Sequence, residues 1–494
     1  MSVMMATGQS AVSSAMVGDD RVAVIDIGSN SIRLVVYASQ GRYPFPLFNE
    51  RSNCRLGEGL SDEGLLAADR IDVALQAMAR FAVILRNMQV KTIYPVATAA
   101  VRRAVNATDF TAPAEAILGQ PIVVLSQTEE AQFVARGITL NIPGASGLIA
   151  DLGGGSLEVV QLHQGVIENS ISFDFGHLSE VDATKIDAAL ASAPWIAATE
   201  VKRLYGVGGS FRALGSAYID QVHYPLAVLH GLTIKREKVD RLLAAYSADE
   251  PDLAGVPLGR RKTMPQAALI MRRLVTATAV EKIVVSGTSI RDGVIAEHEL
   301  TEDTRADFLT AIAVEIAKTS PRFDGVPAAL YRLLHPLLWR DANPERAERL
   351  LYLACLLADL CWNEHEDIRG DIGARRVLAL PVNCVTHTER IWLATVIFHR
   401  YVGIKTNKSG PTELKYVLKE TLRDQAVTIG LAIRFALMFS GGITSCIDYL
   451  KIDIVDDKMI LNVAAEGAAL IDNHARRRFE QLAQSAGLES AINS

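Results

Sequence analysis

The chain has 494 residues, 49% of them apolar and 21% charged, with a formal net charge of −6. This is the composition of an ordinary globular chain of two to four domains, and its net charge excludes a general attraction to polyanions, so a highly negative ligand needs local basic patches. Five widely spaced cysteines exclude a disulfide framework and point to a reducing compartment, the cytoplasm, and no apolar run reaches the length of a membrane span.

Residues 1–20 are small and polar, with no positive side chain before Arg21. They lack the pattern of a secretory signal and are expected to form a disordered lead-in. Arg21 to Val36 then reads as a hairpin: an apolar strand ending near Asp26, a turn of Gly28, Ser29, Asn30 and Ser31, and an outgoing strand that carries Arg33. Hydroxyls and free N–H groups in such a turn can bind phosphate oxygens. Leu65 to Asn87 has helical apolar spacing, and Thr92 to Ala97 is a strand. Thr98 and Arg102 follow that strand where it feeds a helix N-terminus, a place that favours anions. The planar fork of Arg102 suits phosphate, whereas Arg103 reads as a surface charge. Ile122 to Leu125 is another strand, and Thr128 to Ile138 a helix capped by Ser126 or Thr128. Glu129 and Glu130 sit in its first turn, where acids favour the helix dipole whatever else they do.

A second stretch repeats the first. Ile149 to Leu152 and Leu157 to Leu162 are strands joined by Gly153, Gly154, Gly155 and Ser156. Aligning Asp151 with Asp26, 125 residues earlier, places Gly153 on Gly28, Ser156 on Ser31 and Val160 on Val35. Each copy is strand, Asp, apolar residue, Gly, two small residues, Ser, strand, which is too specific for chance and marks an internal duplication. The glycine turn offers backbone N–H groups to a phosphate, and Asp151 beside it suits a divalent cation that bridges to the phosphate oxygens. Glu158 is either a second metal-associated carboxylate or a second candidate base. Downstream, Ala183 to Leu204 has helical spacing, Tyr205 to Val207 is a strand, Gln266 to Val280 a helix and Ile283 to Ser286 a strand. Gly208, Gly209 and Ser210 either receive a further phosphate or simply punctuate the passage from strand to helix. The fold class is α/β: two duplicated domains, each opened by a phosphate-grasping hairpin, facing each other across a cleft.

Taken in order, Asp26-Ile27-Gly28-Ser29-Asn30-Ser31, Ala97-Thr98-Ala99-Ala100-Val101-Arg102-Arg103-Ala104 with Asn106, Glu129-Glu130-Ala131, Asp151-Leu152-Gly153-Gly154-Gly155-Ser156-Leu157-Glu158, Gly206-Val207-Gly208-Gly209-Ser210 and Ser289-Ile290-Arg291-Asp292-Gly293 resemble the exopolyphosphatase/guanosine pentaphosphate phosphohydrolase (Ppx/GppA) family over about residues 21 to 300. Asp292 stands where a Glu is usual, and Ser210 where a Thr is common. The resemblance implies two actin-like/RNase H-like ATPase-superfamily domains, at 21–138 and 139–305. It implies Mg²⁺ as cofactor, with Asp151 and Glu158 as its carboxylates. Ser29, Asn30, Ser31, Arg33, Thr98, Arg102, Gly153, Gly154, Gly155, Ser156, Gly208, Gly209 and Ser210 are the phosphate-binding set. Glu130 resembles the residue that orients and deprotonates the attacking water, with Glu158 as second catalytic carboxylate and Glu129 left as a dipole partner. The implied reaction is release of orthophosphate from the end of inorganic polyphosphate, or alternatively conversion of guanosine pentaphosphate to the tetraphosphate. A homodimer is implied, and neither membrane nor nucleic acid is expected as a partner. An ATP-dependent kinase of the same superfamily and a non-catalytic alarmone or polyphosphate sensor are the rival classes.

From about Asp307 the spacing turns helical: Phe308 to Ile316, Arg346 to Cys361, Glu389 to His399, Glu413 to Leu422 and Ala426 to Phe439 are amphipathic. Ile447 to Val463 reads as a hairpin turning at Asp456-Asp457. Long family members carry an HD-type helical region here, implying an all-α HD-like domain at 306–440 and a small α+β segment of hairpin and helix at 441–494. Where members show a His-acid pair this chain has Ala358-Asp359, so the HD-like region is expected to hold no metal; His365 sits among acids in Glu364-His365-Glu366-Asp367, but in a polar run outside the helix that reads as a solvated loop, and His387 and His399 have no adjacent acid. A basic strip of Arg400, Lys405, Lys408, Lys415, Lys419 and Arg423, set against Glu413, Glu420 and Asp424, suits a long polyanion or is a solvated helix face. Cys384 to Arg390 has the Cys-x5-Arg spacing of thiolate phosphatases, but it lacks glycine and carries Glu389, so the spacing reads as chance.

Overall fold

The computed structural model describes residues 21–38, 44–60, 64–142, 144–318, 322–338, 344–404, 410–415 and 418–493. The expected lead-in at 1–20, and Lys405 and Lys408 of the basic strip, lie outside them. The chain divides into two compact units: 1–224 with 229–308, and 225–228 with 309–494.

The first unit contains two sheets built on one plan. In the first, β1 (Arg21–Ile27), β2 (Ile32–Ala38), β3 (Phe45–Ser52), β4 (Thr92–Ala97) and β5 (Val123–Val124) stand in the order β3-β2-β1-β4-β5. The first three are antiparallel neighbours, and β4 and β5 continue in parallel. The second sheet has β6 (Gly147–Leu152), β7 (Leu157–His163), β8 (Val166–Phe173), β9 (Arg203–Val207), β10 (Thr233–Lys235) and β11 (Lys282–Val285). Its order, β10-β11-β9-β6-β7-β8, read from the far edge is the first plan again with one antiparallel strand, β10, added. The duplication seen in two hairpins therefore extends over both sheets. Crossover helices make the parallel steps: Ala68–Asn87 leads into β4, and Met264–Thr276 into β11.

Each sheet buries one face under its own helices. Ile25, Leu34 and Val36 pack on Met78 and Phe81, and Leu148, Val159 and Leu204 pack on Phe211, Leu243 and Met271. The opposite faces share a third core, where Val24 and Val96 of one sheet and Ile149, Val160 and Tyr205 of the other close on Val134, Ile138, Val294 and Ile295. Those last four lie on the helices Gln127–Asn141 and Ile290–His298. The helices meet without intervening side chains: a Cβ on Gly293 would fall on the carbonyl of Phe133, and one on Gly137 would come to 3.0 Å from that of Ser289.

The expected helix Ala183–Leu204 is instead two short helices, Ala183–Ala191 and Trp195–Ala198, followed by a strand that already includes Leu204. Pro194 has no N–H to continue the first helix, and Leu204 pairs in parallel with Leu148 and Ile283.

The second unit is helical, closed by a small sheet. The helices His387–Val402 and Glu420–Phe439 cross closely at Gly430, where a Cβ would come to 2.6 Å from the carbonyl of Val396. The expected hairpin is β12 (Leu450–Val455) and β13 (Lys458–Val463), turning at Asp456, whose φ is +53°. After the helix Asn473–Ser485 the chain returns as β14 (Glu489–Asn493), which adds in parallel to β13. No helix among the described residues is long and apolar enough to cross a membrane.

Candidate active site

Both hairpin turns fold alike. Gly28 donates to Ser31 O at 3.2 Å and Gly153 to Ser156 O at 3.0 Å. The turns also meet: a Cβ on Gly154 would come to 3.2 Å from Ser29 Cβ and 3.5 Å from Asn30 N, so the two turns sit in close contact. Between them lies a cleft of about 170 Å³, lined by the first unit's residues alone. Ser29, Asn30, Ser31, Arg33, Thr98, Glu130, Asp151, Gly153, Gly154, Ser156, Glu158, Gly208 and Gly209 of the sequence-based set all line it.

The register of the strands places the charges. Asp26 pairs with Arg33 across β1 and β2. At the equivalent positions of the second copy Asp151 pairs with Glu158 across β6 and β7. One hairpin thus brings a cation to the cleft and the other a second carboxylate. Asp151 is half-buried at the surface of the cleft and crowded by negative charge. Burial, with Glu130 and Asp26 adding to it, pushes its carboxyl up to about 7, against the pull of Arg212 and Arg291. Burial and the charges of Glu130 and Asp151 hold Glu158 well above the carboxylate range, opposed by the hydroxyls of Ser156 and Ser172. Ser172 donates to Glu158 at 3.2 Å. Gly208, with φ +91°, lets β9 approach this pair; a Cβ there would come to 2.8 Å from Asp151 Oδ1.

Glu130 and Glu129 separate as their positions in a first helical turn require. Glu129 is exposed and closes a capping box with Ser126, accepting from its N–H at 2.8 Å and its hydroxyl at 2.7 Å. Glu130, one residue on, turns inward. Burial raises its carboxyl and Arg102 works against that shift. Arg102 donates to Glu130 at 2.7 Å and to Leu125 O at 2.9 Å, so the fork expected to hold phosphate holds a carboxylate instead. Its other terminal nitrogen, Nη2, is buried with no partner among the described residues. Arg103 is exposed, as a surface charge should be, and lies 3.4 Å from Gly155 O and 4.0 Å from Asp174.

Five arginines line the cleft: Arg33, Arg51, Arg212, Arg260 and Arg291. Arg291 is tied to Asp26 at 2.6 Å, and Arg33 donates to Asn49 at 2.7 Å. Arg51, Arg212 and Arg260 have no ion pair among the described residues. Burial and mutual repulsion lower all three, Arg260 to about 10. Asp26 opposes the shift at Arg51 and Asp151 that at Arg212, yet neither carboxylate pairs with them, and guanidiniums left without an ion pair on one wall suit an anion. Sequence reasoning assigned no role to Arg212 and Arg291, although Arg291 stands in a motif it had singled out and Arg212 lies two residues beyond another. It missed Arg51, Arg260 and His177 altogether, since none lies in a stretch with a periodic or glycine-rich signal. Ser210 departs from expectation: it is buried and turned onto His177 rather than into the cleft.

In the second unit, Asp359 is held between Arg400 at 2.8 Å and Arg322 at 3.7 Å. Arg400 also donates to Ala358 O and is buried, so it cannot belong to a solvent-facing strip; burying a guanidinium requires such a partner. Lys415, Lys419 and Arg423 are exposed. Burial drives the Cys384 thiol up to about 12. Glu389 caps its own helix and accepts from Arg346 and Arg349, while Arg390 donates to carbonyls of residues 377–382. The Cys-x5-Arg spacing encloses no anion cradle.

Residues 34–302 match the Ppx/GppA phosphatase family and residues 341–492 the exopolyphosphatase C-terminal domain. Among solved structures, an exopolyphosphatase from Cytophaga hutchinsonii is 23% identical, with 56% of this chain and 96% of that one covered and a TM-score of 0.50. The Aquifex aeolicus PPX-GPPA enzyme is 22% identical, covering 56% of this chain and 99% of its own, with a TM-score of 0.47. A Bacteroides thetaiotaomicron protein with an actin-like ATPase fold is 7% identical, covers 38% of this chain and 82% of its own, and has a TM-score of 0.25. The family match begins inside β2, after the first hairpin turn, and covers the rest of the first sheet, the whole of the second and the cleft residues from Arg51 onward; it takes in more than half of the chain, and on it the chain belongs to the Ppx/GppA phosphatase family.

Proposed function

We propose that the protein is an exopolyphosphatase that hydrolyses the terminal phosphoanhydride of inorganic polyphosphate. One observation carries the reading: a buried carboxylate, Glu130, paired with Arg102, opens onto a cleft lined by five arginines and two phosphate-type turns. Phosphoryl transfer to water needs positioning and charge stabilisation and little covalent help. Glu130 orients the water and takes its proton, and Arg102 works against the burial that raises its carboxyl. The water oxygen bonds to the terminal phosphorus as the bridging P–O bond breaks. The turn at Gly153, Gly154 and Ser156 holds the phosphate under attack, with Ser29, Asn30, Ser31 and Arg33 on the facing wall. Arg51, Arg212 and Arg260 hold the phosphates that follow. The apolar side chains of the lining, Leu152, Val207 and Ile290, are aliphatic, which favours a chain of phosphates over a ligand that carries a purine.

The site also suits Mg²⁺. Asp151 and Glu158 are adjacent oxygen donors whose mutual repulsion a cation would relieve. Among the described residues no group of three or more His, Cys, Asp or Glu side chains forms a ready metal site. That accords with an ion that takes one or two carboxylates and completes its shell with water and substrate phosphates. When bound, it would neutralise charge on those phosphates.

The test is phosphate release in Mg²⁺ from long-chain polyphosphate and from guanosine pentaphosphate, side by side, with wild type and Glu130→Gln. Release from polyphosphate, reduced about 10²-fold or more in the variant, is expected. Release mainly from the nucleotide would move the assignment to a guanosine pentaphosphate phosphohydrolase, and release from neither would sink the catalytic reading.

A further inference from the structure

His177 sits under the glycine turn in an unusual state. The segment bearing it is strapped to that turn: His177 N donates to Gly153 O at 3.1 Å and Leu178 N to Gly154 O at 2.9 Å. Gly176 makes the approach possible, because a Cβ there would fall on the Gly154 carbonyl. The imidazole lines the cleft, yet the residue is only 6% exposed. Its Nδ1 lies 3.5 Å from the hydroxyl of Ser210, itself buried. Its Nε2 is buried with no hydrogen-bond partner among the described residues. A buried polar nitrogen without a partner is costly, and folded proteins keep few of them. Burial, together with the charge of Arg260 and despite the nearby carbonyls of Gly153 and Leu152, lowers the ring to about 4, so it is neutral at working pH.

We propose that His177 is a substrate-binding residue whose Nε2–H donates to a phosphate oxygen held at the Gly153–Gly155 turn, in a tautomer selected by Ser210 on Nδ1. The reasoning is one of acceptors. Phosphate oxygens accept, so a lone pair on Nε2 would repel them and a proton there would bind them. Ser210 can rotate its hydroxyl to donate to Nδ1, leaving the ring proton on Nε2. Ser210 therefore acts on phosphate through the imidazole, a positioning role in place of direct contact. The proposal rests on the cleft being a phosphate site, as argued above, and adds to the arginines a donor whose charge does not vary across neutral pH.

The test is ¹H–¹⁵N correlation of the imidazole nitrogens in the full-length protein, with and without inorganic tripolyphosphate, the His177 signal being assigned by its loss in His177→Gln. Binding of tripolyphosphate is followed separately by calorimetry. The expected result is a neutral Nε2–H tautomer whose Nε2 resonance moves on saturation, with Ser210→Ala populating the other tautomer. In kinetics, His177→Ala should raise KM about tenfold with kcat within about twofold and an unmoved pH profile. His177→Gln, which retains a neutral donor, should recover most of that loss. Tripolyphosphate that binds by calorimetry without disturbing His177 overturns this inference alone. Tripolyphosphate that does not bind at all overturns it together with the phosphate reading of the cleft.

Discussion

Asp151 shows how a functional site is kept at the expense of stability. Its carboxyl, pushed from the ordinary 3.8 to about 7, retains in the folded state a proton that the unfolded chain has already lost between those two values. The folded state therefore binds more protons across that window, and stability falls as pH rises through it, with the full cost standing above pH 7. Asp151→Asn removes the charge and should raise Tm at pH 8 by at least about 2 °C. The gain should shrink toward pH 4, and phosphate release should fall; equal stabilisation at both pH values would contradict this origin of the shift. How visible such residues were in the sequence depended on their neighbours. Asp151 stood beside three glycines and could be singled out from them. Arg51 and Arg260 have no such surroundings, and only the fold brings them to the same wall as Arg212. Arg102 was found for its fork, but its partner was misjudged, because the spacing of 28 residues to Glu130 says nothing of how strand β4 and the following helix set them side by side.

At the scale of elements, the helices Gln127–Asn141 and Ile290–His298 decide the geometry of the chemistry. One carries Glu130 and the other carries Arg291, and they touch backbone to backbone at Gly137 and Gly293. Gly293→Ala places a methyl group against the Phe133 carbonyl, which cannot move without moving its helix. A loss of roughly 3 kcal/mol is expected in denaturant unfolding. Activity should fall with it, because the helices that carry Glu130 and Arg291 must separate. An unchanged midpoint would mean that the crossing is looser than described. Strands were legible where apolar runs ended in an Asp and a glycine turn, as in β1 and β6. The helix starting at Ile290 was missed as an element because its nine residues hold too few turns to display a period. The break at Pro194 was passed over because apolar spacing continued on either side of it.

At the scale of the molecule, two units with separate cores should unfold in more than one calorimetric step. The cleft lies wholly in the first unit, so Mg²⁺ with tripolyphosphate should raise one transition. Arg400→Ala should lower the other, because it strips Asp359 of its 2.8 Å partner at a cost of about 3 kcal/mol or more. A single transition responding to both changes would show the units to be coupled. The repeat was legible only in the hairpin that opens each copy; nothing in the residues pointed to the rest of the shared plan, or to β10 being added to one sheet alone. The difference between the copies matters as much as their likeness. At one register position the first hairpin carries Arg33 and the second Glu158. A chain of identical phosphates reads the same from either end, and two identical hairpins would leave it no direction. By carrying opposite signs at a shared position, the duplicated halves give the cleft a front and a back, so that under the proposed reading an unpolarised polymer would acquire a leading end on entering it.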